Sequence, residues 1–354
     1  MNRIALILGD RFLYWSSLIL TLGGVSWALM LAALSLGEKK KEFMATAAAI
    51  PLAGFLSLIF SRMVHWYCRP EVYESLSEAL TDYSRGGFAL IGAFAGCILG
   101  AVILRLCRLS RNLPRLLDHM AIAGCLGISV GRLAPFFNTG DRGMILPETV
   151  GLPWAVSMTN SVSGAAENRL AVFLIQAMAA AALFLVLLIF YARGRRRGTL
   201  REGDTCLIFL LCYCASQIVL DSPRYDNLYF RSNGFVSIVQ IFSLLTVLTV
   251  AVIFTVRLAK TRGARWTAMA LVLLPLLGCA GYMEYHVQRH GDQAVLAYSV
   301  MGICMVLTVV RILELRAFAG AGARTRRGYP AAEISSAVAE HLDWPDSERK
   351  TPEP

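Results

Sequence analysis

"FLYWSSLILTLGGVSWALMLAALSLGEKKK" runs from Phe12 to Lys41, and its reading decides the fold class. No charged residue interrupts it before Glu38. A helix needs about 20 predominantly apolar residues to cross a bilayer, and residues 12–36 supply them. A removable signal segment has a shorter apolar stretch, about 7–15 residues, with its positive charge in front. Here Lys39, Lys40 and Lys41 come behind. The stretch therefore reads as a retained span with its basic end in the cytoplasm.

The same reading extends outward to nine candidate spans, at residues 12–36, 43–62, 87–104, 116–137, 170–192, 204–221, 234–256, 266–283 and 294–313. Composition agrees. Of 354 residues, 56% are hydrophobic and only 16% charged, against about 25% charged in soluble domains. Basic residues follow every second span: Lys39–Lys41, then Arg105 to Arg115, Arg193 to Arg201, Arg257 to Arg265, and Arg316 to Arg327. The alternate loops are mixed or acidic, with Glu71, Glu74, Glu78 and Asp82 after span two. A nine-span, all-α helical bundle with its N-terminus outside and its C-terminus cytoplasmic satisfies the positive-inside rule at each crossing. This placement accounts for the net charge of +10 without a nucleic-acid partner. The nine cysteines form no CxxC or Cys/His cluster, so neither a metal site nor a disulfide framework is expected.

Three outer connections carry polarity. Pro70 to Tyr83 reads as an amphipathic interfacial helix between Arg62 and Arg85, residues 138–169 as a Gly/Ser/Asn/Pro-rich loop, and residues 222–233 as a short polar, aromatic loop. The tail from 321 to 354 is polar and is expected to be disordered. Arg132, Asp221 and Arg224 bring charge to this one leaflet. A guanidinium fork matches two phosphate oxygens. At a span's edge Arg132 also admits a second reading, snorkelling to the interface. A transporter commonly places its polar residues and broken helices near mid-membrane, which is not the distribution here. In span three, Gly92, Gly96 and Gly100 recur every fourth residue, marking a close-packing face.

Four segments in order resemble the prolipoprotein diacylglyceryl transferase family. "GRLAPFFNTGDRG", Gly131 to Gly143, is similar to the family's G-R-x-x-N-F-x-N-x-E-x-x-G. Gly131, Arg132, Phe136, Asn138 and Gly143 match, while Pro135 and Gly140 replace an Asn and the Glu. Before it, Ser61 to Gly96 resembles the family's arm and glycine-rich segment, with Ile91 at the place of a His. "CYCASQIVLDSPRYD" matches at Tyr213 and Arg224, with Asp221 for a Glu and Gln217 for the first of two arginines. "GFVSIVQIFSL" carries Gln240 at a matching Gln. The family's H-P-x-Q-L-Y-E stretch corresponds to "LAVFLIQ", Leu170 to Gln176.

The resemblance implies a transferase-like membrane domain over residues 1–257, a two-span extension over 258–320 and a cytoplasmic tail. It implies transfer of diacylglyceryl from phosphatidylglycerol to the cysteine thiol of a prolipoprotein signal segment, in the cytoplasmic membrane and without a cofactor. Arg132, Asn138, Asp141, Tyr213 and Asp221 are the expected catalytic set. Arg132, Gly143, Arg224 and Gln240 are the expected headgroup ligands. Asp141 lies one residue beyond the missing Glu, so a local shift restores a carboxylate. His65 lies at the outer edge of span two and His119 near the inner end of span four. The alternative is a non-catalytic relative that binds phospholipid or lipoprotein signal segments.

Overall fold

A computed structural model describes residues 4–8, 11–82, 87–159, 164–230, 236–291 and 293–326. Arg85, part of the 222–233 loop and the tail beyond Arg326 lie outside the described residues. The chain forms helices α1 (Trp15–Ser35), α2 (Lys40–Cys68), α3 (Leu76–Thr81), α4 (Leu90–Leu106), α5 (Leu113–Gly131), α6 (Val172–Arg196), α7 (Asp204–Asp221), α8 (Ile238–Arg262), α9 (Leu273–His290) and α10 (Ala294–Arg326). Among the described residues, eight helices are long and apolar enough to cross a membrane. The expected third span differs: α4 has 17 residues. At about 1.5 Å per residue it falls a few ångström short of a hydrocarbon core of about 30 Å.

Helix α4 is seated by its glycines. A Cβ on Gly92 would lie 2.2 Å from the Phe60 carbonyl oxygen, and one on Gly96 would lie 2.4 Å from the Ser57 nitrogen. The two backbones of α2 and α4 therefore touch, and Ser57 adds a hydrogen bond to the Ala93 carbonyl at 2.8 Å. The expected packing face is thus a face against α2.

The chain is not wholly helical. β1 (Ile4–Leu8) pairs antiparallel with β2 (Arg11–Tyr14), and β3 (Ala155–Thr159) with β4 (Ala166–Leu170). The second hairpin lies inside the stretch read as loop, where each strand has only five residues, too few for periodicity to stand out.

The interfacial helix expected over Pro70 to Tyr83 is broken into a 3-10 turn, Pro70–Val72, and the short α3. Ser75 starts a new helix by accepting the Glu78 N–H at 3.1 Å, while the Glu78 carboxylate accepts the Glu74 N–H at 2.6 Å. Arg62, only 1% exposed, then gathers the free carbonyls. Its guanidinium donates to Ala79 O at 2.6 Å, to Gly87 O at 3.0 Å, to the Tyr73 hydroxyl at 3.1 Å and to Asp82 O. Arg62 anchors the segment from beneath instead of marking its edge.

The basic loops converge at one end of the bundle. Glu38 pairs with Arg115 at 3.0 Å and Arg195 at 2.5 Å, and Asp204 pairs with Arg257 at 2.6 Å and Arg316 at 2.8 Å. Asp118 on α5 accepts the Gly203 and Cys206 N–H groups at 2.7 and 2.8 Å, a carboxylate at the electropositive N-terminus of α7. Beyond residue 257, α9 and α10 share one apolar core with α7 and α8, including Leu211, Phe254, Met301 and Ile312. The other end of the bundle carries the loops that form the site.

Candidate functional site

Helix α5 ends at Gly131 with Arg132 as its cap, and a 3-10 turn, Ala134–Phe137, follows. Pro135 near the start of that turn costs it no needed donor. Asn138 then folds the chain back, its side-chain oxygen accepting the Gly140 N–H at 2.8 Å. Asp141 comes out of this loop at φ 53°, a left-handed conformation that costs a non-glycine residue about 1–2 kcal/mol. Two other segments hold it there. Its N–H donates to the Asp226 carboxylate at 2.9 Å, and its carbonyl accepts the Phe173 N–H at 3.1 Å.

The held carboxylate lies between two guanidiniums. Arg132 reaches one oxygen of Asp141 at 2.9 Å, and Arg224 reaches the other at 2.5 Å. Arg224 also pairs with Asp221 at 2.9 Å and Asp226 at 3.1 Å. Asp221 is fully buried and accepts the Ser237 hydroxyl on its second oxygen. Burial pushes the Asp141 carboxyl up, but the Arg224 and Arg132 charges outweigh it and hold the group below the usual carboxylate range. Burial likewise works against the Arg224 charge, and Asp141, Asp221 and Asp226 more than restore it, so its pKa rises further.

Polar groups line one face of α7 beside this cluster. Tyr213, Gln217 and Asp221 are spaced one turn apart, and all three are buried. The Tyr213 hydroxyl lies against Arg132 and meets no other polar partner among the described residues. Its ring packs edge-on against Phe94 and stacks with Phe209. Gln217 accepts at 3.1 Å from the amide of Gln176 on α6, whose own oxygen has no partner among the described residues.

The family model described as prolipoprotein diacylglyceryl transferase matches residues 3–256. The chain belongs to the prolipoprotein diacylglyceryl transferase family. It is similar to proteins named phosphatidylglycerol–prolipoprotein diacylglyceryl transferase. That of Bacillus licheniformis is 23% identical over 269 residues, covering 74% of this chain and 94% of the relative. That of Streptococcus equi subsp. zooepidemicus is 24% identical over 268 residues, covering 74% and 97%. That of Streptococcus uberis is 25% identical over 246 residues, covering 68% and 92%.

Within the transferase motif, the structure brings Arg132, Asp141, Asp221 and Arg224 into one cluster, with Tyr213 beside it. Asp141 meets Arg132 although the motif position, Gly140, has no carboxylate. The other expected residues act at one remove. Asn138 shapes the loop. Gly143 donates its N–H to the Leu170 carbonyl at 2.8 Å, and a Cβ there would lie 2.8 Å from a Val172 methyl. It is therefore a packing position beneath β4. Gln240 spends its amide within a capping box, accepting Ser237 N–H and donating to Ile218 O, both at 3.1 Å. That box sets the Ser237 hydroxyl against Asp221. His65 bonds the Tyr73 hydroxyl at 3.2 Å, and His119 the Tyr191 hydroxyl at 2.6 Å.

Two participants were not singled out from the sequence. Asp226, two residues after Arg224, had a visible signal in its spacing. Gln176 closes the stretch Leu170 to Gln176 and stands where the resemblance places the motif's final Glu. Its partner Gln217 stands at the motif's Arg, so two opposite charges are replaced together by two amides.

Proposed function

We propose that this chain transfers the diacylglyceryl group of phosphatidylglycerol to the thiol of a lipobox cysteine in a prolipoprotein signal segment. The membrane is the bacterial cytoplasmic membrane, with the basic end of the bundle and the C-terminus inside and the N-terminus outside. The observation that carries the reading is the Asp141 carboxylate clasped by Arg132 and Arg224. Two guanidiniums that hold both oxygens of a carboxylate also suit two oxygens of a phosphodiester.

In this reading the lipid phosphate takes the place of the Asp141 carboxylate. The cysteine sulfur attacks the glyceryl carbon, a carbon–sulfur bond forms, and the carbon–oxygen bond to phosphate breaks with its electron pair. Glycerol phosphate leaves with its charge held by Arg132 and Arg224. The thiol proton passes to Asp141, which becomes a better base once the arginines have left it. Tyr213 and Asp221 orient the headgroup. Asn138, Gly143 and Gln240 act through the loop, the hairpin and Ser237.

Expression in cells depleted of their own transferase tests this, with the mass gain of a lipobox substrate as readout. Lipidation that depends on Arg132 is expected. Full lipidation by Arg132→Ala would sink the site assignment. One observation favours the binding-only alternative: His65 is engaged with Tyr73 instead of the cluster. Its signature is absent lipidation with saturable phosphatidylglycerol binding that Arg132→Ala abolishes.

A further inference from the structure

The mechanism above lets Tyr213 orient the headgroup and leaves the buried amides of Gln176 and Gln217 without work. Gln176 is 1% exposed, Gln217 3% and Tyr213 4%. Among the described residues the Gln176 side-chain oxygen has no hydrogen-bond partner, and the Tyr213 hydroxyl meets only Arg132. Buried polar atoms are rarely left unpaired, because each forfeits the hydrogen bonds it made with water. A clamp between α6 and α7 explains only one bond, from the Gln176 amide to the Gln217 oxygen at 3.1 Å. Among the described residues the remaining donor of Gln217 meets only Ser216, at 3.4 Å.

These atoms are not scattered. On α7, Gln217 is one turn from Tyr213, which interacts with Arg132, and one turn from Asp221, which pairs with Arg224. A ligand whose phosphate sits on the two arginines therefore has the orphaned groups within its footprint. Their chemistry is an acceptor without a donor beside a hydroxyl that can both donate and accept. An ammonium could satisfy the acceptor, but the guanidiniums nearby disfavour a third cation. A second phosphate finds no cation on the amides. A neutral hydroxyl fits both requirements.

We propose that Gln176, Gln217 and Tyr213 form an uncharged subsite that takes the hydroxyls of the lipid headgroup, so that this chain selects among anionic phospholipids by hydroxyl content and not by charge. The inference rests on the reading of Arg132 and Arg224 as a phosphate seat, but it does not require transfer. In chemical terms Gln176 and Gln217 determine specificity, and they take no part in bond making.

Binding to the purified full chain in detergent separates the possibilities, with phosphatidylglycerol and phosphatidylpropanol as probes. Both are anionic diesters with three headgroup carbons, and only the first carries hydroxyls. The wild type is expected to prefer phosphatidylglycerol by about 10-fold, the scale of one or two hydrogen bonds. Gln176→Leu is expected to bring that ratio close to one while leaving phosphatidylpropanol affinity unchanged, and the unchanged affinity shows that the fold is intact. Gln217→Met keeps the side-chain length and removes the amide, and it is expected to lower the ratio too. An undiminished ratio in both variants overturns the proposal. Failure of the wild type to bind either lipid overturns the phosphate seat as well. A glutamine-dependent ratio without lipidation in cells removes transfer and leaves the subsite standing.

Discussion

The same chemical unit, a carboxylate between two guanidiniums, occurs at both ends of the bundle. Glu38 lies between Arg115 and Arg195, and Asp204 between Arg257 and Arg316. Asp141 lies between Arg132 and Arg224. The surroundings differ. At the basic end the three partners come from separate helices or their ends, and the contacts join residues 53 to 157 positions apart. Each acid is a staple between spans. At the other end Asp141 rides on a loop, in a left-handed conformation, with Arg132 only nine residues before it. Tyr213 lies against Arg132 there, and on α6 the Gln176 side-chain oxygen has no partner among the described residues. A staple holds helices whose separation would expose apolar surface. A loop carboxylate can move aside and surrender its arginines to another anion.

Removing one cation from each kind of unit breaks the comparison most sharply. Arg132→Ala is expected to lower lipidation by about 100- to 1000-fold, the usual loss when a donor to a developing anion is removed. Its melting temperature in detergent should stay within a few degrees of wild type. A large loss of stability with activity per folded molecule preserved would make Asp141–Arg132 another staple.

The staple at Glu38 is expected to behave in the opposite way. Its side chain is only 4% exposed, but Arg115 and Arg195 are 35% and 42% exposed and can turn to water. Breaking a fully buried pair costs about 3–5 kcal/mol, and solvent screening of these arginines reduces that to about 2 kcal/mol for Glu38→Ala. Thermal unfolding of the purified protein measures it. Lipidation per folded molecule should be unchanged.

A smaller effect is expected from Arg316→Met. Arg316 donates to Asp204 at 2.8 Å and stacks over the Phe190 ring at 4.8 Å. Methionine keeps part of the packing, and Arg257 still neutralises Asp204, leaving a loss of about 1 kcal/mol. A double-mutant cycle with Asp204→Asn isolates that share.

How much of this was legible in the sequence follows from the range of each interaction. Spans are local patterns of about 20 residues, so eight full-length helices were readable, and the basic loops foretold which ends meet. Helix α4 has 17 residues against the 18 expected, and its start shifts to Leu90, where the Ala89 N–H donates to the Ser61 carbonyl of α2. The break in the Pro70–Tyr83 segment depends on Arg62 reaching across from α2, which apolar spacing does not encode. In the site, Arg132 and Arg224 could be named from the family resemblance, while their position at the span edges left snorkelling open. That they share one carboxylate could not, because the link spans 83 positions and needs the turn made by Asn138. Gln176 was missed for the same reason, since an isolated glutamine in an apolar run shows no partner until α6 packs on α7.

Acidity gives the smallest and most selective effect. Opposed burial and arginine charges leave both Asp141 and Glu38 below the usual carboxylate range. A carboxylate with a depressed folded pKa contributes stability above its unfolded value, about 3.9 for Asp and 4.3 for Glu. That contribution is lost as pH falls through the lower folded value. Between pH 5 and 8, about a unit or more above those unfolded values, both ion-pair units stay charged, and binding of an anionic lipid should be nearly flat. Below about pH 4 the units diverge. Protonating Glu38 only loosens a staple, whereas protonating Asp141 releases Arg132 and Arg224 to an incoming phosphate. Phosphatidylglycerol affinity measured in detergent should therefore rise on acidification while thermal stability falls. Asp141→Asn should bind more tightly from the outset and lose the rise. If Asp141→Asn weakens binding at every pH, Asp141 holds the site's shape instead of occupying the phosphate's place, and the difference between the two ends of the bundle disappears.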